Sequence, residues 1–185
     1  KIVVATILRA GLPLQQGFLN YFDDAHSAFV SAYRKSSKDG SFKVKVEYIS
    51  NCNLEGKTLV LVDPMLATGT SLVLAYEALI AKGGEPEHTH IASVIASEQG
   101  VDYAMRHLPS RSTTLWVCAV DAELTSRSYI VPGIGDAGDL AFGEKSEFGK
   151  IDFLIEFANF GVTKLVELIG ETTLESMENI KNFLV

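Results

Sequence analysis

The sequence predicts an α/β fold, a twisted parallel sheet with helices on both faces, followed by a helical C-terminal tail. Three observations carry this. Short apolar runs alternate with segments of helical length from residue 2 to residue 120, the pattern of successive βα units. Those runs are apolar almost throughout rather than at every second residue, as strands covered on both faces require. The 185 residues are 47% hydrophobic and 21% charged, enough for one globular domain with a substantial core.

In order, residues 2–5 read as a strand and 11–22 as a helix. Residues 25–33 and 44–50 read as strands. Between them, residues 34–41 are polar and contain Asp39-Gly40, which suggests an exposed hairpin. Residues 58–62 are the next strand, 71–82 a helix, 90–96 a strand, 100–107 a helix and 114–120 a strand. Farther on, residues 151–169 carry apolar side chains at helical spacing. Thr172-Thr173-Leu174-Glu175 then reads as a capping box, and Leu174, Met177, Ile180 and Leu184 line one face of the helix it opens. The expected organisation is a core of residues 1–145 and a helical tail of residues 146–185. The tail shows no chemistry and is expected to pack on the core or on a partner subunit.

A net charge of −7 argues against a nucleic-acid surface, which needs a basic face. The two cysteines, Cys52 and Cys118, lie far apart and suggest reduced thiols and a cytoplasmic setting rather than a disulfide framework. No apolar run is long enough to span a bilayer, and no signal peptide is evident. The four histidines have no metal-ligand spacing; His88 and His90 alternate along what reads as a strand edge.

The most informative stretch is Asp63-Pro64-Met65-Leu66-Ala67-Thr68-Gly69-Thr70-Ser71. A buried strand stops at an acid, a loop of small and hydroxylated residues follows, and a helix begins. Backbone N–H groups and hydroxyls at a helix N-terminus favour a phosphate, and the upstream Asp can accept from sugar hydroxyls. The same residues also make an ordinary N-cap and turn. The loop is neither a Walker loop, lacking Gly-Lys-Ser/Thr, nor a dinucleotide fingerprint, lacking Gly-x-Gly-x-x-Gly.

Two other segments narrow the choice. Ile7-Leu8-Arg9-Ala10-Gly11-Leu12 follows the first strand. Tyr129-Ile130-Val131-Pro132-Gly133-Ile134-Gly135-Asp136-Ala137-Gly138-Asp139 is a Gly-rich loop with two carboxylates, continuing as Leu140-Ala141-Phe142-Gly143. The three blocks, in this order, resemble those of the uracil phosphoribosyltransferase family over residues 1–145. The resemblance implies a phosphoribosyltransferase type I-like fold. It also implies Mg²⁺-dependent transfer of the 5-phosphoribosyl group from phosphoribosyl pyrophosphate to uracil, giving UMP, by a homodimer or higher homo-oligomer.

Residue by residue, the resemblance implies that Arg9 and Arg34, the latter after Tyr33 on a flap, bind the pyrophosphate. Asp63 holds the ribose hydroxyls, Ala67 through Ser71 hold the 5′-phosphate, and Pro64, Met65 and Leu66 also contribute to binding phosphoribosyl pyrophosphate. Pro64 stands where many related transferases carry a second acid, so Asp136 is expected to act with Asp63 and Arg9 in catalysis. Backbone groups of Ile130, Gly135 and Ala137, beside Asp136, read the uracil edge, with Tyr129 covering ribose or base. Mg²⁺ is expected to arrive on the substrate pyrophosphate rather than in a fixed protein site.

The pattern has departures. Thr70 replaces the second Gly of Ala-Thr-Gly-Gly-Ser, Leu140 stands where many members have a basic residue, and residues 122–126 lack the usual Gly-Leu-Asn. The resemblance begins at the first strand, without the helical portion that precedes it in family members, and the chain runs on to Val185 past the usual end. A sibling transferase for another base, or a regulatory relative that binds phosphoribosyl pyrophosphate or a nucleotide without catalysis, are the alternative readings.

Overall fold

The computed structural model describes residues 1–36, 42–50 and 52–143, with backbone alone for 32–36 and 42–45. In chain order the elements are β1 (Ile2–Leu8), α1 (Leu12–Leu19), β2 (His26–Ser36), β3 (Phe42–Ile49), β4 (Thr58–Val62), β5 (Met65–Leu66), α2 (Thr70–Gly83), β6 (His88–Ser97), α3 (Glu98–His107), β7 (Thr113–Asp121), β8 (Glu123–Leu124), β9 (Ile130–Val131) and α4 (Ala137–Phe142). Every element expected up to residue 120 is present, with ends shifted by a few residues. The two helices expected in the tail lie outside the described residues.

A seven-stranded sheet runs β3-β2-β1-β4-β6, with β5 continuing beside β6 past the end of β4 and β7 on the far side of β6. All pairs are parallel except β2–β3. The expected parallel sheet thus carries one antiparallel pair, at its edge. The cause is local, because a short connection turns the chain straight back, whereas a parallel return needs a crossover of a dozen residues or more. The paired strands fit the expected hairpin, whose turn at 37–41 lies outside the described residues. His88 and His90 sit on β6, which is flanked by β4 and β7; theirs is not an edge strand.

Alternate residues of each central strand feed two cores. Val3, Ala5, Ile7, Leu59 and Leu61 pack with Leu72, Val73, Ala75 and Leu79 of α2 and Ala104 of α3. Val4, Val60 and Val62 pack on the opposite face with Leu14 and Phe18 of α1. α1 carries Pro in its first turn, where the missing N–H costs nothing. Helices thus cover both faces, which is why the strand sequences are apolar without alternation.

The loop after β1 is fixed by close packing. Gly11 N donates to Ile7 O at 3.0 Å, and Thr6 Oγ1 donates to Val62 O at 3.4 Å. A Cβ on Gly11 would collide with Thr6 Oγ1 and stand 2.9 Å from Ile7 O and 3.1 Å from Val62 O. Two of these neighbours are backbone and cannot swing aside. Gly11→Ala should therefore destabilise the protein by about 2–3 kcal/mol, seen as a lower urea midpoint with unchanged m. An unaltered midpoint would show that the loop adapts freely.

Candidate active site

β1 and β4 lie side by side with Thr6 opposite Val62, so the residues that follow each strand emerge together at one edge of the sheet. The strand order reverses direction here, with β2 outside β1 and β6 outside β4. Ligand crevices form at such switch points, at the carboxyl ends of parallel strands.

Asp63 is the first residue past β4. Its N–H donates to Ala92 O at 3.1 Å, holding the backbone to β6. Its half-buried carboxylate accepts one long contact, from Met65 N at 3.5 Å. Desolvation by the surrounding protein pushes its pKa from the ordinary 3.8 to about 7, opposed only by the Met65 N–H. Pro64 turns the chain; its carbonyl accepts from Val94 N and Ile95 N, each at 3.1 Å.

After β5 the loop reaches Gly69, at φ +76°, which caps α2 without any side-chain hydrogen bond. The helix opens at Thr70, one residue earlier than expected. Thr70 is therefore helical, and among the described residues only Ser128 is a non-glycine at positive φ. Replacing the family's second Gly by Thr costs no backbone strain, and the added hydroxyl accepts from Thr68 Oγ1 at 3.4 Å.

The third block, expected to be a loop, is more ordered. β9 pairs with β8, Gly133 N donates to Asp121 Oδ2 at 3.0 Å, and α4 is capped by Asp136 Oδ1, which accepts from Asp139 N at 2.9 Å. Asp139 in turn accepts from Arg9 Nη2 at 2.6 Å. The Arg9 guanidinium carbon sits 5.9 Å from the centre of the Phe142 ring, within cation–π range. A Cβ on Gly138 would stand 3.6 Å from Arg9 Nε. The first and third blocks thus meet across 130 residues of sequence.

Two adjoining cavities result. The larger, about 390 Å³, is lined by Met65, Ala67 and Ser71 from the second block, Ala10 from the first, and Tyr129, Gly135, Asp136, Ala137 and Gly138 from the third. The smaller, about 50 Å³, is lined by Asp63, Met65, Leu66, Ala67, Thr68, Gly69, Ser71 and Leu72. Arg9, Pro64, Thr70 and Ile130 line neither; Ile130 is 2% exposed, its side chain in the core beneath α1. Arg34 lies on β2, which runs five residues past Ser31, the partner of the last residue of β1. Only the backbone of Arg34 is described.

Arg127 and Ser128 also line the larger cavity, and neither was expected there. The motif signalled Asp139 as a second carboxylate but not its ion pair with Arg9. No three His, Cys, Asp or Glu side chains gather as a metal group among the described residues. Asp63, Asp136 and Asp139 offer oxygen donors singly, which suits a hard cation bound mainly by substrate phosphates and one or two carboxylates.

The family model for uracil phosphoribosyltransferase matches residues 1–144. The chain belongs to the uracil phosphoribosyltransferase family. Among family members, the uracil phosphoribosyltransferase of Porphyromonas gingivalis is 57% identical over 145 residues, 78% of this chain and 66% of that one. The enzyme of the same name from Methanothermobacter thermautotrophicus is 40% identical over 147 residues, 80% and 65% of the two chains. The chain therefore spans slightly less than two thirds of the length of these curated relatives. Among solved structures, the AQ2163 protein from Aquifex aeolicus superposes with a TM-score of 0.68 at 29% identity, covering 80% of this chain and 67% of that one. Family members share the phosphoribosyltransferase type I fold, and no helix among the described residues is long and apolar enough to cross a membrane.

The raised Asp63 pKa makes stability depend on pH. Between about pH 4 and 7 the folded protein holds a proton on Asp63 that the unfolded chain has released, so this group's contribution falls as pH rises. Asp63→Asn, which cannot ionise, should match the parent in Tm near pH 4. By pH 7.5 it should exceed the parent by roughly 5 °C. A difference in Tm that does not change with pH would contradict the buried-charge account.

Proposed function

We propose that the chain transfers the 5-phosphoribosyl group from phosphoribosyl pyrophosphate to uracil, forming UMP and pyrophosphate. The supporting observation is the 390 Å³ cavity, which the phosphate-type loop and the Gly-rich loop line jointly at the switch point of the sheet. Such a volume suits a small-molecule site.

In this reading Asp63 accepts from the ribose hydroxyls, and the loop from Ala67 to Ser71, with the N-terminus of α2, binds the 5′-phosphate. Arg9 binds the pyrophosphate with guanidinium N–H groups not used by Asp139, and Arg34 is the second arginine assigned to it. Mg²⁺, when bound to the pyrophosphate, neutralises charge on the leaving group. As the C1–O bond breaks, positive charge develops on the ribose. In this reading Asp63 and Asp136 stabilise that charge electrostatically, without forming a covalent bond. Backbone groups of Ile130, Gly135 and Ala137 are assigned to the donor and two acceptors of the uracil edge, with Tyr129 covering one side. The same reading carries a homo-oligomer working in the cytoplasm.

Measuring kcat/KM for a panel of bases tests this. Uracil and 5-fluorouracil should both react, since fluorine leaves the hydrogen-bonding edge intact. Cytosine should be disfavoured by a factor on the order of 10⁴, because it leaves buried partners unpaired. Preference for another base would identify a sibling transferase, and ligand binding without turnover a regulatory relative. Arg9→Ala should raise KM for phosphoribosyl pyrophosphate at least tenfold while changing KM for uracil little. An equal rise in both would assign Arg9 to folding.

Gly135 supplies a second check. It sits at φ +83°, and a Cβ there meets nothing within 4 Å. Gly135→Val should cost the fold only the conformational penalty of roughly 1–2 kcal/mol yet abolish uracil use, because the branched side chain enters the base site. Retained uracil turnover would remove this loop from base recognition.

A further inference from the structure

We propose that Ser97, at the β6–α3 junction, is a positioning residue that sets the face which the phosphate-binding loop turns toward its ligand. The inference rests on the phosphoribosyl reading above. Ser97 is fully buried and lines neither cavity, so it has no route to substrate. Its hydroxyl makes two bonds. It accepts from Gly100 N at 2.9 Å, which caps α3, and it donates to Ala67 O at 2.5 Å.

The second bond matters because of peptide geometry. In a trans peptide the C=O of one residue and the N–H of the next point to opposite sides. Drawing the Ala67 carbonyl back to Ser97 therefore turns the Thr68 N–H forward, toward the small cavity that Ala67 and Thr68 line. Gly100 reinforces the arrangement. A Cβ there would collide with Ala67 O and stand 2.5 Å from Leu66 O, while a Cβ on Gly69 would stand 2.9 Å from Gly100 O. The loop carbonyls at Pro64, Leu66 and Ala67 all face β6 and α3. Donors that would otherwise fluctuate are held forward before any anion arrives, which is preorganisation for a phosphate.

Removing the hydroxyl leaves a buried carbonyl and a buried N–H unpaired. In Ser97→Ala the Ala67 carbonyl loses the hydroxyl that draws it back, and the loss should fall on the phosphate alone. Titration calorimetry with UMP and with uridine, its phosphate-free counterpart, separates this from general damage. UMP should bind Ser97→Ala at least tenfold more weakly than the parent, with uridine within about twofold. Equal weakening of both ligands, or unchanged UMP affinity, would overturn the positioning role.

Amide hydrogen exchange in the parent protein tests the same point without a variant. The Thr68 amide should exchange readily in the free protein and become protected by UMP. Protection before UMP is added would show the N–H turned inward and overturn the proposal. If the parent protein binds neither UMP nor phosphoribosyl pyrophosphate, the phosphoribosyl reading itself fails, a result distinct from a selective effect at Ser97.

Discussion

The parallel pairing of β1 with β4 is the constraint on which the rest of the site depends. Their register sets Thr6 against Val62, so Arg9 and Asp63 leave neighbouring strands at one edge of the sheet. A slip of one residue would turn Val3, Ala5 and Ile7 away from α2 and toward α1, mixing the two cores and separating the loops. Burial of both faces penalises that slip at every position along the strand. The Thr6 hydroxyl and the close approach at Gly11 add a local lock at the point where the first and second motifs meet. Site geometry is thus inherited from core packing, and the loops need little rigidity of their own.

Much of this was legible in the sequence because burial leaves a local trace. The apolar runs located β1, β4 and β6, and the small and hydroxylated residues after Asp63 located the phosphate-type loop. Features that depend on distant partners left weaker traces. α4 is only six residues long and begins Ala137-Gly138, a composition that reads as loop because glycine weakens a helix. Its Asp136 cap and the Arg9–Asp139 pair stabilise it instead. The direction of β3 was legible only from the Asp39-Gly40 turn signal, since apolarity does not record strand direction. Ser97 lay outside the expected helix at 100–107, although Ser97-Glu98 has the chemistry of an N-cap followed by an acidic first turn.

Charge is handled differently on the two sides of β4. His90, on β6, accepts from Trp116 Nε1 at 3.1 Å. Burial, and secondarily His88, lower its pKa from 6.5 to about 4. The folded state therefore favours neutral His90, and that contribution is lost as pH falls from about 6.5 to 4. Asp63 acts in the opposite sense over nearly the same window, its cost growing as pH rises. The two slopes offset each other, so the pair together makes stability vary less with pH than either group alone would.

Asp63 and Arg9 also show two ways to keep a reactive charge in a protein without ligand. Among the described residues Asp63 has no cation beside it, and it has one long N–H contact, so near neutrality it carries a proton part of the time. Arg9 cannot discharge by losing a proton, and it is held instead by the Asp139 carboxylate and the Phe142 ring. In the proposed reaction the substrate reverses both states. Ribose hydroxyls supply the hydrogen bonds that Asp63 lacks and favour its ionised form. A pyrophosphate beside Arg9 competes with the carboxylate that α4 presents. Asp139 and Asp136 belong to the same short helix and its cap, which connects Arg9 to the loop proposed to read the base. The proposed pyrophosphate and base sites are therefore linked by the Arg9–Asp139 ion pair.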